Sequence, residues 1–395
     1  MPTRALARLV CALGIAQIVC WGTLFYSIAV LGPPMAMALQ VSQTGLYGSF
    51  TAGLLVSGLL APWAGRRIDR YGGRGVLCLG SVLGAAACAT LAAATSGAAM
   101  FAGWVVAGAA MAMCLYDAAF ATLHRSAGSR YRSAVTALTL FGGFASTVFW
   151  PLSQYLLETQ GWRSAFAVHA ALNLAIGLPL HVAFVPSGNP PARRPEAGAS
   201  TGTRADAGAT FAWLALSLSL AAFLASAVSA HLVTLLGSVG IPARDAVLVG
   251  ALIGPMQVAG RVMEFTFSSR MRPLAVGTLA FVLMALALVV LPLVHGVWAL
   301  ALAFALLYGW SNGVMTIVRG TVPAELFGQR AYGALLGRLA RPQFMLKAIA
   351  PVAVTLVIAL DDTRRVALYT LGATAIAALW AYRVAIRGRV RQSRE

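Results

Sequence analysis

Lys347 is the single lysine in this chain of 395 residues; every other cationic side chain of that length is an arginine. It interrupts the apolar run Phe344-Met345-Leu346-Lys347-Ala348-Ile349-Ala350. At 1.5 Å per residue, a position about 15 residues into a membrane helix lies near the bilayer midplane. An ammonium there costs about 2.5–3.5 kcal/mol on insertion scales, so a compensating partner is required. Three readings fit: a point charge that binds an anionic substrate, a structural pair with an acid, or a side chain snorkelling from a shorter helix that starts at Pro342. Arg261 and Arg341 are the next candidates, because a guanidinium fork binds carboxylates bidentately. Arg261 has an alternative partner in Glu264, one helical turn away. Arg338 and Arg341 could equally be charges at a cytosolic helix end.

Asp117, in Cys114-Leu115-Tyr116-Asp117-Ala118, has no adjacent base in sequence. A carboxyl group in low dielectric suits reversible protonation, hence proton coupling; the alternative is a pair with an arginine such as Arg125. Glu264 carries the same two readings. His231 titrates in the physiological range, although a lone histidine on an apolar helix, like His169 or His181, is also an ordinary packing residue. Gln17, Trp21 and Tyr26 fall broadly on one side of a helix and could line a cavity, with flat apolar walls and hydrogen-bonding tips. Tyr308-Gly309-Trp310-Ser311-Asn312-Gly313 mixes small and polar residues and reads as a closely packed helix.

These residues must be positioned by membrane helices. Hydrophobic residues make up 59% of the chain and its mean hydropathy is +0.81, which define an integral membrane protein. Twelve apolar spans are expected, at approximately 9–31, 44–64, 75–95, 99–122, 134–156, 164–185, 211–236, 246–265, 274–293, 297–319, 332–358 and 366–386. The run after Met1 to Arg8 mimics a signal peptide but continues past Val30, so it reads as the first span. Pro186 to Ala209, rich in Pro, Gly, Ala, Ser and Thr, reads as a cytosolic linker between two halves. The expected organisation is therefore 1–185, a linker 186–209, and 210–395 with a basic tail. Gly260-Arg261-Val262-Met263-Glu264 echoes Gly65-Arg66-Arg67-Ile68-Asp69, as repeat-built halves would.

The formal charge of +18 is spread over short loops. No basic stripe is interleaved with exposed aromatics, so nucleic acid is not the expected partner. With a cytosolic N-terminus, about 20 basic residues fall on the cytosolic side, which places both termini in the cytosol of a multi-pass plasma (inner) membrane protein. Cys11, Cys20, Cys78, Cys88 and Cys114 all lie in apolar segments and read as packing residues rather than a disulfide or zinc framework. No phosphate-binding glycine loop, nucleophile–base pair or metal spacing is present, so neither ATP-driven transport nor an enzyme is expected, and no cofactor.

The loop Gly65-Arg66-Arg67-Ile68-Asp69-Arg70-Tyr71-Gly72-Gly73-Arg74 concentrates charge in a chain that is only 10% charged. Its glycines allow a tight reversal, Asp69 can pair with an arginine or face a helix N-terminus, and its arginines face anionic headgroups. The pattern G-x-x-x-D-R-x-G-x-R resembles the loop between helices 2 and 3 of the major facilitator superfamily of secondary transporters. Gly161-Trp162-Arg163 resembles the G-W-R element ahead of that family's sixth helix, and Gly142-Gly143-Phe144 through Trp150-Pro151 occupies the place of its Gly/Pro-rich motif. The resemblance implies an all-α integral membrane protein with twelve transmembrane helices in two six-helix pseudo-symmetric bundles. It also implies a gating and structural motif at Gly65, Asp69, Arg70, Gly72 and Arg74.

Within the superfamily the chain is similar to the monocarboxylate transporters and their bacterial oxalate–formate relatives. Trp21-Gly22 sits at their W-G-type motif. Gln257-Val258-Ala259-Gly260-Arg261 resembles their D-x-x-x-R element, whose arginine binds the substrate carboxylate, and Lys347 stands where the oxalate–formate group has a functional lysine. Gln257 replaces the aspartate and the first span has no lysine, which sets the chain apart from that branch's usual proton-coupling route. The expectation is a monomeric secondary transporter of a small organic anion, with a proton or counter-substrate as second partner. The closest rival is a proton-driven exporter of a drug, metabolite or metalloid; a non-transporting membrane sensor is the rival of another class.

Overall fold

The computed structural model describes residues 2–188, 204–267, 271–328, 331–361 and 364–392. The described chain is helical throughout: α1 Thr3–Cys20, α2 Ser27–Ala38, α3 Gln43–Tyr71, α4 Arg74–Ala92, α5 Gly97–Cys114, α6 Tyr116–Ala127, α7 Tyr131–Gly143, α8 Ala145–Leu172 and α9 Leu178–Phe184 come first. They are followed by α10 Arg204–Ser238, α11 Ala243–Phe267, α12 Pro273–Val290, α13 Trp298–Phe327, α14 Tyr332–Ile358 and α15 Arg365–Gln392. Two wide π-helical turns, Trp21–Tyr26 and Asn173–Gly177, join α1 to α2 and α8 to α9.

Ten helical runs among the described residues are long and apolar enough to cross a membrane. One of them, Gly97–Phe184, is 88 residues long. A straight helix of that length would measure about 130 Å against a hydrocarbon core of about 30 Å. It therefore cannot be one span. Gly128 (φ 56°) and Gly161 (φ 79°) take up left-handed conformations within it, which leaves arms at 97–127, 131–160 and 162–184. These arms contain the spans expected at 99–122 and 134–156 and, apart from its last residue, the one expected at 164–185.

The local signals that start helices are visible in the bonds. Ser42 Oγ accepts from the Gly45 amide at 3.1 Å to open α3, and Ser96 Oγ accepts from Ala99 at 3.3 Å to open α5. Two details differ from expectation. The fourth span is broken at Leu115, whose backbone is extended (φ −82°, ψ −169°). In addition, α10 begins at Arg204, inside the stretch expected as linker. Of that linker, 189–203 lies outside the described residues.

The chain divides into two compact units, Met1–Arg194 with Gln329–Arg341, and Pro195–Gly328 with Pro342–Glu395. In the first, α3 and α4 pack on α5, α4 on α8, and α1 on α7. In the second, α11 and α12 pack on α13, and α10 and α12 on α15. The largest buried side chains of the first unit include Trp104, Phe120, Phe166 and Tyr332, and those of the second Phe281, Phe304 and Tyr382. Outside these cores, large apolar side chains stand open, Leu356 at 65% exposure among them, as a lipid-facing surface requires.

Candidate functional site

The glycine-rich decamer resolves residue by residue in the first unit. Asp69 sits in the last turn of α3 and faces the start of α14: Oδ1 accepts from the Gly333 amide at 2.9 Å and Oδ2 from the Ala334 amide at 2.7 Å. These are two of the orphan donors of a helix N-terminus, met by a negative charge where the helix dipole is positive. Arg125 donates to the Asp69 backbone carbonyl, so the arginine offered above as a partner of Asp117 is engaged with the loop instead.

Gly65 has the Gly333 backbone against it where a Cβ would stand, and Gly337 likewise meets Ala61 and Pro62. Two helices therefore touch backbone to backbone. Gly72, at φ 88°, ends α3 in a conformation that favours glycine. Arg74 donates Nε to the Val185 carbonyl at 2.6 Å, while Arg66, Arg67 and Arg70 are exposed. Beside this joint, Tyr131 and Tyr332 share a hydrogen bond of 2.9 Å, and the His124 ring stacks on Tyr332 at 4.0 Å.

Asp117 is half-buried in the first turn of α6, just past the Leu115 break. It lines a narrow cleft with Ala61, Gly65, Ala112, Gly333 and Gly337. The break itself has a partner in Gln17. Its Nε2 donates to the Cys114 carbonyl at 2.6 Å, and its Oε1 accepts from Trp21 Nε1 at 3.1 Å. Gln17 is fully buried, so it braces the aromatic wall from behind.

That wall is built on the first π-turn. Trp21 and Tyr26, five residues apart, come within 6.1 Å centroid to centroid, because a π-turn brings i and i+5 to one side. Tyr116 lies 5.1 Å from Trp21, and Trp150 6.0 Å from Tyr26. Trp21 and Tyr26 are half-buried and Trp150 is exposed.

In the second unit, Arg261 on α11 is only 6% exposed and donates Nε to the Gly313 carbonyl at 3.3 Å. That bond orients the guanidinium through the edge away from its Nη pair. Glu264, one turn on, is equally buried. Gln257 is half-buried and lies where α13 crosses α11: a Cβ on Gly313 would stand 2.7 Å from the Gln257 Cα, and one on Gly309 2.8 Å from the Ile253 carbonyl. Tyr308–Gly313 is thus the close crossing its small residues suggested. Lys347 is half-buried on α14, and its carbonyl accepts from Ser226 Oγ at 2.8 Å. His231 Nε2 reaches the Pro351 carbonyl at 2.9 Å. Arg341 is exposed.

The first unit also holds a buried polar seam, beyond the packing role expected of His169 and His181. His169, Asn173 and His181 are all fully buried. Asn173 Nδ2 donates to Thr23 Oγ at 2.9 Å, Cys20 Sγ approaches Asn173 Oδ1 at 3.9 Å, and Ser153 and Ser81 bond His169 and His181. The signal was present: with Gly177 these residues recur every four positions on one helix face.

Long apolar helices crossing through glycines, with charged and aromatic groups held half-buried among them, define a multi-pass membrane transporter. The family model of the Major Facilitator Superfamily matches residues 13–337. The chain belongs to that superfamily, and it is a transporter rather than an enzyme.

Solved structures with this fold include the human organic anion transporter MFSD10 (TETRAN), with a TM-score of 0.73 at 17% identity, covering 97% of this chain and 100% of that one. The E. coli fucose:proton symporter FucP follows at 0.72 and 14%, covering 97% and 98%. The proton:xylose symporter XylE is similar at 0.71 and 13%, covering 96% and 95%. At these identities the likeness is one of fold. No curated protein sequence matches the chain.

Proposed function

We propose that the chain carries a small organic anion, monocarboxylate-like, by alternating access, and that the movement is coupled to protons. The observation that carries the reading is Lys347. It is the one lysine of the chain and stands half-buried within a helix long enough to span the membrane. Such a charge persists in a membrane helix when function requires it. Arg261 supports it: a buried guanidinium oriented by a backbone carbonyl is prepared to receive a carboxylate. The aromatic wall of Trp21, Tyr26 and Tyr116 suits the apolar body of such a substrate. The fold is one that the human organic anion transporter MFSD10 also adopts.

Asp117 is the proton-coupling group in this reading, with Glu264 second. Gln17, Gln257, His231 and Arg341 complete the candidate substrate-binding set. Two pseudo-symmetric six-helix bundles, joined by a cytosolic linker, are the architecture this reading assumes. The protein works as a monomer in the plasma (inner) membrane with both termini cytosolic. The position of Asp117 in its cleft is equally what a proton-driven exporter of a drug, metabolite or metalloid would need, and that is the second reading.

Uptake of radiolabelled small carboxylates into proteoliposomes under an imposed pH gradient tests the choice. Saturable uptake that is lost in Lys347→Ala supports the anion transporter. Absence of uptake from folded, correctly inserted protein overturns it and favours the exporter.

A further inference from the structure

The turn of α14 that carries Lys347 is not closed by its own backbone. Pro351 follows four residues later and has no N–H to offer the Lys347 carbonyl. In a membrane helix a carbonyl freed in this way must find another donor. Here the donor is Ser226 of α10, whose hydroxyl reaches the Lys347 carbonyl at 2.8 Å. One turn further along, the Pro351 carbonyl is also held from α10, by His231 Nε2 at 2.9 Å. A carbonyl oxygen only accepts, so Nε2 carries the hydrogen in this contact. Thr355 Oγ1 donates to the same carbonyl at 2.9 Å, a back-bond of the kind that bends helices. Both ends of the 347–351 turn are therefore fixed by side chains of one neighbouring helix.

We propose that Ser226 and His231 are positioning residues for Lys347: they close the turn that Pro351 leaves open and so set where the ammonium stands. The inference rests on Lys347 as the anion-binding cation. It explains why a serine and a histidine, five positions apart on α10, both reach the backbone of α14. A small displacement of this turn is amplified along the long lysine side chain, so the two bonds govern the cation through the backbone that carries it.

The single lysine makes the test direct. Reductive methylation of the full-length protein with [13C]formaldehyde gives one side-chain dimethylamine signal, identified by its loss in Lys347→Arg, and its titration reports the surroundings of Lys347. Ser226→Ala and His231→Phe are each expected to move the titration midpoint by about half a pH unit or more, and Ser226→Thr to leave it in place. Pro351→Ala restores an N–H opposite the Lys347 carbonyl, so adding it to Ser226→Ala should return the midpoint to the wild-type value. A variant that merely unfolded would not be rescued in this way.

Wild-type titration in both Ser226→Ala and His231→Phe overturns the inference, as does failure of Pro351→Ala to rescue. Sodium lactate and sodium oxalate are then added to the wild type. A signal that answers neither overturns the anion reading, while the midpoints still decide the positioning role.

Discussion

Removing Lys347 has two separable effects, and together they identify its role. If the ammonium serves an anionic substrate, Lys347→Ala lowers carboxylate uptake by at least about tenfold, the size of one charge-assisted contact. Its thermal stability should hold or rise, because the desolvation cost of about 2.5–3.5 kcal/mol is relieved. A structural ion pair would respond in the opposite sense, with a loss of about 3–5 kcal/mol when one partner is deleted. Thermal melts in detergent beside uptake in liposomes distinguish the two. Asp117→Asn is expected to abolish the response to a pH gradient while sparing counterflow exchange, which needs no net proton movement; loss of both would remove Asp117 from proton coupling. Gln17→Ala should act on stability. It leaves the Cys114 carbonyl without its 2.6 Å donor, at a cost of about 1–3 kcal/mol, read as a lower melting temperature.

At the scale of elements, how much was legible depended on whether a signal was local. The loop after α3 could be read where a residue answers a local need, as Gly72 does with its left-handed φ; the close approach of Gly65 to Gly333 was not local. The choice between an arginine and a helix end as the partner of the Asp69 carboxylate was not local, and the structure resolves it in favour of the α14 amides. Asp69→Ala should therefore lower stability by about 0.5–2 kcal/mol, and Asp69→Asn by less, since one amide oxygen can still accept.

The break at Leu115 was not legible. Cys-Leu-Tyr-Asp contains no proline or glycine, and the interruption depends on the amide of Gln17, 97 positions earlier. The π-turn at Trp21–Tyr26 was hidden for a similar reason: the spacing of Gln17, Trp21 and Tyr26 fits one side of a 3.6-residue helix, which the chain leaves at Trp21. The polar seam around Asn173 followed a period of four that the sequence shows. What the sequence lacked was the identity of the opposing residues, Thr23, Ser81 and Ser153.

For the whole molecule, the apolar periodicity announced a helical membrane protein, and the family match confirms the class. The arginine-rich loops make a prediction at this scale. A fluorescent protein fused after the last residue should fold and glow, and a periplasmic phosphatase fused there should stay inactive, as expected of a cytosolic C-terminus. The reverse pattern would invert the proposed orientation. The glycine joint of the first unit has a mechanical consequence. Gly65, Gly333 and Gly337 present no side chains that interlock, so at these positions the two backbones can part without rotamer changes. Beside the contacts of Tyr332 with Tyr131 and His124, the joint is held by the pair of hydrogen bonds from Gly333 and Ala334 to one carboxylate. It is a catch rather than a weld: firm while Asp69 keeps its charge, and easier to slide apart once those two bonds are given up.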